Sequence, residues 1–83
     1  MIFNAEITVM PLKELLDPQG KAILSGLSNL GLKDIEDVRM GKHIVLRLIA
    51  DSESEAKNIA EQAAAKLLAN QVMEEFSIEV FSI

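Results

Sequence analysis

Hydrophobic and polar residues alternate along three stretches of the chain. Every second residue is apolar in Phe3–Val9, in Ile44–Ala50 and in Phe76–Val80. A two-residue period of this kind is typical of a β-strand with one buried face. In Ile44–Ala50 the intervening residues are also apolar apart from Arg47, so both faces of this strand are expected to contact other groups.

A fourth strand is predicted just before Ile44–Ala50. Residues Ile35–Met40 read as a strand, and they are followed by Gly41 and Lys42, a pair that suits a tight turn. The pattern therefore predicts a hairpin in which these two strands pair with each other.

Two other stretches have the spacing of amphipathic helices. In the first, Ile23, Leu27 and Leu30 lie four and three residues apart and form an apolar stripe. Asp17 is a suitable N-terminal cap for this helix, and Gly31 is expected to end it in the left-handed conformation.

The second helix is predicted to begin at a capping box formed by Ser52 and Glu55. Asn70 is a reasonable C-terminal stop. Its apolar stripe consists mostly of small residues, which would allow close approach to a sheet: Ala56, Ile59, Ala60, Ala63, Ala64 and Leu67.

The order of elements predicts an α+β fold with the pattern βαββαβ in a single domain spanning residues 1–83. Right-handed crossovers would place both helices on one face of a four-stranded antiparallel sheet, as in ferredoxin-like folds. The other face would remain uncovered, and we expect it to be used for oligomerisation. The residues predicted to mediate self-association there are Ile2, Met10, Val45, Ile49, Phe81 and Ile83.

The composition argues against several classes of function. The net charge is −5, the only aromatic residues are three Phe, and there is no basic run, so binding to nucleic acid is not expected. The chain has no cysteine, which removes disulfides and thiolate chemistry. It has no long apolar segment, so we expect no membrane span and a cytoplasmic location.

The sequence offers little for catalysis. His43 is the only histidine, no phosphate-binding loop is present, and the paired acids are most simply solvated charges. We therefore predict no catalytic residue, no metal site and no cofactor site in this chain.

Two polar clusters, residues 17–21 and residues 38–43, leave a choice open. Gly20 lies in the first turn of the first helix, where glycine costs about 1 kcal/mol relative to alanine. Either the clusters are only a helix cap and a polar turn, or Gly20 lets another backbone approach closely while basic side chains dock on an acidic partner. The predicted docking residues are Asp17, Gln19, Gly20, Lys21, Arg39, Lys42 and His43.

At these clusters the sequence resembles a known family. The segments AEITVM, LDPQGKAI, DVRMGKHIVL and LLANQVMEEFSIEV, which together cover essentially the whole chain, resemble PurS, the small subunit of phosphoribosylformylglycinamidine synthase in purine biosynthesis. The chain departs from the family pattern LLANPVIE at Gln71 and Met73. Without the proline, the turn after the second helix is expected to be less restricted.

The resemblance implies a non-catalytic subunit that forms a homodimer or homotetramer. It would bridge a PurL-like synthetase subunit, which carries ATP and Mg, and a PurQ-like glutaminase subunit. The complex would use ATP and glutamine-derived ammonia to convert formylglycinamide ribonucleotide to formylglycinamidine ribonucleotide.

The sequence also allows two alternatives to this bridging role. A ferredoxin-like dimer could sense a small metabolite in a cleft between two copies. The other alternative is a small stand-alone enzyme that uses His43 in catalysis.

Overall fold

The computed structural model describes all 83 residues and contains one antiparallel sheet of three strands. Strand β1 is Ile2–Pro11, β2 is Lys42–Ile49 and β3 is Glu74–Ser82, and their order in the sheet is β2-β1-β3. The central strand pairs with both neighbours, placing Ile7 between Ile44 and Ile78.

The core lies on one face of this sheet, which we call the inner face. The alternating residues Phe3, Ala5, Ile7 and Val9 of β1 point to it and are at most 2% exposed. Full burial of a large apolar side chain contributes about 1.5–3 kcal/mol, so this single strand supplies much of the stability of the monomer.

One helix covers part of the inner face. Helix α2, Glu53–Ala63, begins at Ser52, whose hydroxyl accepts a hydrogen bond from the N–H of Glu55 at 3.1 Å. The helix continues into a π-helical segment, Ala64–Leu68. Three small residues along this face are completely buried, which lets the helix lie close to β1: Ala56, Ala60 and Ala64.

The turn that follows α2 is held by side chains, among them that of Gln71, where the resemblance leads us to expect proline. The amide of Gln71 donates to the carbonyl of Ala65 at 3.1 Å, and Asn70 Oδ1 accepts from the N–H of Val72 at 3.1 Å. Glu74 Oε1 accepts from the N–H of Asn70 at 2.7 Å. These hydrogen bonds restrict the turn in place of the proline ring.

The first helix lies in an excursion between β1 and β2, Leu12–Gly41, which we call the arm. Helix α1, Pro18–Asn29, projects with the arm and has no extensive contact with the sheet. Gly31 follows it with φ 89°, the left-handed conformation expected of a residue that ends a helix. Because of the arm, the radius of gyration is 16.2 Å, whereas a compact chain of this length would have about 12 Å.

Two sequence predictions about the architecture are wrong. Ile35–Met40 is not a strand, and β2 pairs directly with β1 rather than with a hairpin partner. The backbone of this segment is engaged in holding the arm, since the N–H of Met40 donates to the side chain of Asp17. Only α2 lies on the sheet, so the two helices do not share one face.

Neither α1 nor α2 is long and apolar enough to cross a membrane.

Candidate functional site

The two polar clusters identified in the sequence meet at the base of the arm. Asp17 Oδ1 accepts a hydrogen bond from the N–H of Gly20 at 3.0 Å, as an N-terminal cap does. Asp17 Oδ2 accepts a second one from the N–H of Met40 at 2.9 Å. One carboxylate therefore ties the start of α1 to the segment that returns to β2.

Gly20 is required by this closure. A Cβ atom built on Gly20 would lie 2.2 Å from the carbonyl oxygen of Val38 and 2.6 Å from Asp17 Oδ2. The sequence interpretation that another backbone approaches this glycine is consistent with this geometry, but the approaching backbone belongs to the same chain. Gly41 is used in the same way, since its Cβ would lie 2.2 Å from the carbonyl oxygen of Val9.

The surroundings of Asp17 favour its charged form. The N–H of Gly20, followed by that of Met40, holds the pKa of the Asp17 carboxyl below its usual value, and the charge of Arg39 adds to this effect. The opposing effect of desolvation is smaller.

Arg39 reinforces the base of the arm from the other side. Its Nη2 donates to the carbonyl of Pro11, at the end of β1, and lies 4.0 Å from Glu75 Oε1 on β3. The guanidinium group is therefore occupied by contacts within the chain.

The remaining predicted docking residues do not form one continuous patch. Lys21 lies on α1 next to a cleft that Lys13, Arg39 and Asp37 also line. Lys42 and His43 are consecutive residues of β2, so their side chains point to opposite faces of the sheet. Gln19 is exposed and lines a different groove on the other side of Asp17.

That second groove contains residues that sequence reasoning missed. Its four apolar lining residues are Leu15, Leu16, Met40 and Met73. Leu16 is 70% exposed, and Met73 is 53% exposed. The signal for these residues was weak, because Leu15 and Leu16 lie in an irregular segment with no periodicity.

His43 belongs to a small polar network on the face opposite the core, which we call the outer face. Its Nε2 lies 3.2 Å from Glu6 Oε1, and its Nδ1 lies 3.1 Å from Thr8 Oγ1. Because a carboxylate only accepts, Nε2 donates to Glu6, and in the neutral ring Nδ1 accepts from the Thr8 hydroxyl. The network is exposed rather than enclosed in a cleft, and it holds the imidazole on the sheet surface.

No group of three or more histidine, cysteine or acidic side chains is placed to hold a metal ion.

The outer face contains the residues predicted for self-association. The strand alternation places Ile2 and Met10 of β1 and Val45 and Ile49 of β2 on this face, together with Phe81 of β3. Ile2 pairs directly with Ile49, and the N–H of Ile83 donates to the carbonyl of Ile2. One end of the outer face is therefore an exposed apolar surface, which we call the apolar end: Ile2, Ile49, Phe81 and Ile83.

Comparison with known proteins agrees with this description of the fold. A family model described as PurS, phosphoribosylformylglycinamidine (FGAM) synthase, matches residues 4–82. A phosphoribosylformylglycinamidine synthase subunit PurS from Mycobacterium leprae is 46% identical over 77 residues, which cover 90% of this chain and 91% of that protein.

Solved structures match along nearly the whole chain, including the arm. PurS from Thermus thermophilus has 34% identity and a TM-score of 0.88, and the match covers 100% of this chain and 99% of that one. A chain in the structure of PurLQS from Thermotoga maritima has 28% identity and a TM-score of 0.89, with 98% and 99% coverage.

Substitution of Gly20 by alanine is expected to destabilise the protein by about 1–3 kcal/mol, because the new methyl group would collide with the carbonyl of Val38. Gly26→Ala is the matched control in the same helix, since nothing lies within 4 Å of its Cβ position. This control should be stabilised by about 0.4–1 kcal/mol. Urea denaturation of the three proteins at equal concentration measures both effects, and equal stability of both variants would contradict the close approach of Val38.

Replacement of Asp17 by asparagine is expected to destabilise the arm in a pH-dependent manner. A carboxyl with a lowered pKa stabilises the folded state above its unfolded pKa of about 3.9 and loses this effect as the pH falls through the folded value. The difference between wild type and Asp17→Asn should therefore be full at neutral pH and shrink below about pH 4. Urea midpoints measured across this range test it, and a difference independent of pH would contradict the role of the charge.

Proposed function

This chain belongs to the PurS family of phosphoribosylformylglycinamidine synthase, and from this premise we propose that it is the non-catalytic subunit that bridges a synthetase and a glutaminase. The main support for the proposal is the match, over nearly the full length of both chains, to a chain of PurLQS. That assembly is named for PurL and PurQ as well as PurS. The partners would then be a PurL-like synthetase, which binds ATP and Mg, and a PurQ-like glutaminase.

The chain would contribute to the reaction by holding the two large subunits in a fixed relative position. The complex would convert formylglycinamide ribonucleotide, ATP and glutamine to formylglycinamidine ribonucleotide, ADP, phosphate and glutamate. Ammonia released by the glutaminase must reach the synthetase before it escapes to water, so the two active sites must be held in register. A stiff chain extending 50 Å along its longest axis can contact two large subunits at once.

The base of the arm is the surface that we assign to the partners. Lys21 and Lys42 are exposed and have no ion pair within the chain, so their charges are available to an acidic surface. Beside Asp17, the groove lined by Leu16 and Met73 provides the apolar area that a binding site needs at its centre. Asp17, Gly20 and Arg39 would support this surface through the contacts described above rather than touch the partner through their charges.

Self-association through the outer face is the second part of the proposal. Ile49 is 78% exposed, Ile83 62% and Phe81 48%, which is unusual for large apolar residues that lie side by side. Two copies that pack these residues together would form a homodimer, and a further contact would make a homotetramer. A cytoplasmic location is part of the same proposal.

Reconstitution tests the bridging role. The isolated chain should not form formylglycinamidine ribonucleotide from either glutamine or ammonia. Addition of the chain to the two large subunits should raise glutamine-dependent synthesis at least tenfold, while synthesis from added ammonia changes little, because ammonia needs no delivery. If the two large subunits use glutamine equally well without this chain, the bridging role is wrong.

Charge reversal tests the docking surface. Lys21→Glu and Lys42→Glu should each weaken binding to the large subunits severalfold at low salt and less at 0.5 M salt, where contacts between exposed charges are screened. Lys57→Glu, on the exposed polar side of α2, is the matched control and should leave the affinity unchanged. Affinities that do not depend on ionic strength in any variant would remove the two lysines from the interface.

A further inference from the structure

We propose that Met40 and Met73 are a paired oxidation site, and that conversion of their thioethers to sulfoxides weakens binding of the large subunits to the groove beside Asp17. The effect on binding rests on the proposed function, because this groove is part of the surface assigned to the partners. The modification itself belongs to the isolated chain and can be tested without them.

Methionine is the only residue with an oxidisable sulfur in this chain. There are four methionines and no cysteine. When a thioether reacts with hydrogen peroxide, the sulfur gives an electron pair to one peroxide oxygen, an S–O bond forms and the O–O bond breaks. The departing hydroxide takes the proton of the transferred hydroxyl and leaves as water. The sulfur is thus oxidised by two electrons to the sulfoxide, and the peroxide is reduced by two.

Two of the four thioethers lie on one groove at the base of the arm. Met40 is in the segment that returns to β2, and Met73 directly precedes β3, yet both line the groove of about 300 Å³ beside Asp17. Met40 is 44% exposed and Met73 is 53% exposed. Peroxide dissolved in water therefore has access to both side chains.

Backbone hydrogen bonds keep both methionines at this groove. The N–H of Met40 donates to Asp17 Oδ2 at 2.9 Å. The carbonyl of Met73 accepts from the N–H of Leu12, where the arm begins, at 2.9 Å. The oxidised side chains can rotate, but their backbone cannot move away from the groove without breaking these bonds.

The other two methionines are placed differently and serve as internal standards. Met10 is half-buried, and its sulfur packs against Gly41, so the approach of peroxide to it is restricted. Met1 is 68% exposed but precedes β1, whose ten residues place it about 33 Å from the groove. Oxidation of Met10 should be slow, and oxidation of Met1 should be fast but should not alter the groove.

A sulfoxide changes the polarity of the groove. A thioether is a soft apolar group, whereas a sulfoxide carries an oxygen that needs a hydrogen-bond donor once it is removed from water. Only Gln19 and Asn70 among the ten lining residues have a side-chain donor, and the carboxylates of Asp17 and Glu74 only accept. A partner that covers the groove would bury an unpaired acceptor, which is expected to weaken binding about tenfold.

Peptide mass spectrometry on the isolated chain tests the modification. During treatment with hydrogen peroxide, Met40 and Met73 should each gain one oxygen atom at about the rate of Met1 and about fivefold faster than Met10. In concentrated urea, where the fold is lost, the four rates should become equal. If Met40 and Met73 react as slowly as Met10 in the folded chain, they are not an oxidation site.

Binding measurements test the consequence. The chain is oxidised, the peroxide is removed, and the large subunits are added. Oxidised wild type should bind about tenfold more weakly than untreated wild type, and methionine sulfoxide reductases of both stereospecificities should restore the affinity.

Variants assign the loss of affinity to the pair. Leucine at position 40 and isoleucine at position 73 keep the groove apolar without sulfur. For Met40→Leu/Met73→Ile, the affinities before and after peroxide should therefore be equal to each other. Met10→Leu is the matched control and should lose as much affinity on oxidation as wild type does.

The outcomes separate the two proposals. Equal affinity of oxidised and untreated wild type, or a tenfold loss that persists in Met40→Leu/Met73→Ile, would overturn the effect of oxidation on the groove. If the untreated chain binds neither large subunit, the bridging role is wrong, and the rates measured by mass spectrometry still decide whether Met40 and Met73 are an oxidation site.

Discussion

The structure depends on one carboxylate that accepts two backbone hydrogen bonds. Asp17 caps α1 through Gly20 and, with its other oxygen, binds the N–H of Met40 from the returning segment. The two limbs of the arm are closed at this point, and the absence of a side chain on Gly20 lets them come together. The direction of α1, and with it the shape of the whole molecule, follows from this closure.

A chain built in this way cannot complete its own core. Only ten of 83 residues are buried, and seven of these lie along β1 and the small-residue face of α2 and its π-helical extension. Small domains are marginally stable even when they are compact, and this one leaves part of its inner face and most of α1 uncovered. For a subunit whose proposed role is to hold other subunits in place, this incompleteness is useful, because the surfaces that lack a cover are the ones available to partners.

The local features of the fold were predictable from the sequence. The alternation in β1, β2 and β3 and the caps at Asp17 and Ser52 depend on neighbouring residues, and the structure contains all of them. The absence of a fourth strand was not predictable, since nothing in Ile35–Met40 reveals that the N–H of Met40 is bound by Asp17, 23 residues earlier in the chain.

The position of α1 shows the same limit. Its apolar stripe indicates that the helix needs a cover, but not that the arm holds it away from its own sheet. The candidate site was predicted in part: the two clusters do meet, but Lys42 and His43 are separated by the strand pleat, and the partners of His43 depend on the register between β1 and β2. Lys13 and Leu16 were missed because they lie in an irregular segment.

The pairing of β1 also determines how the chain can fold. Of the three strands β1 is synthesised first, yet one neighbour follows only after the arm and the other only after α2, so that Phe3 pairs with Ser82. A sheet made only of contacts between distant parts of the chain has a high contact order, which slows folding. On the ribosome one edge of the central strand must remain unpaired until β3 has been synthesised, which leaves it open to chaperones during that time.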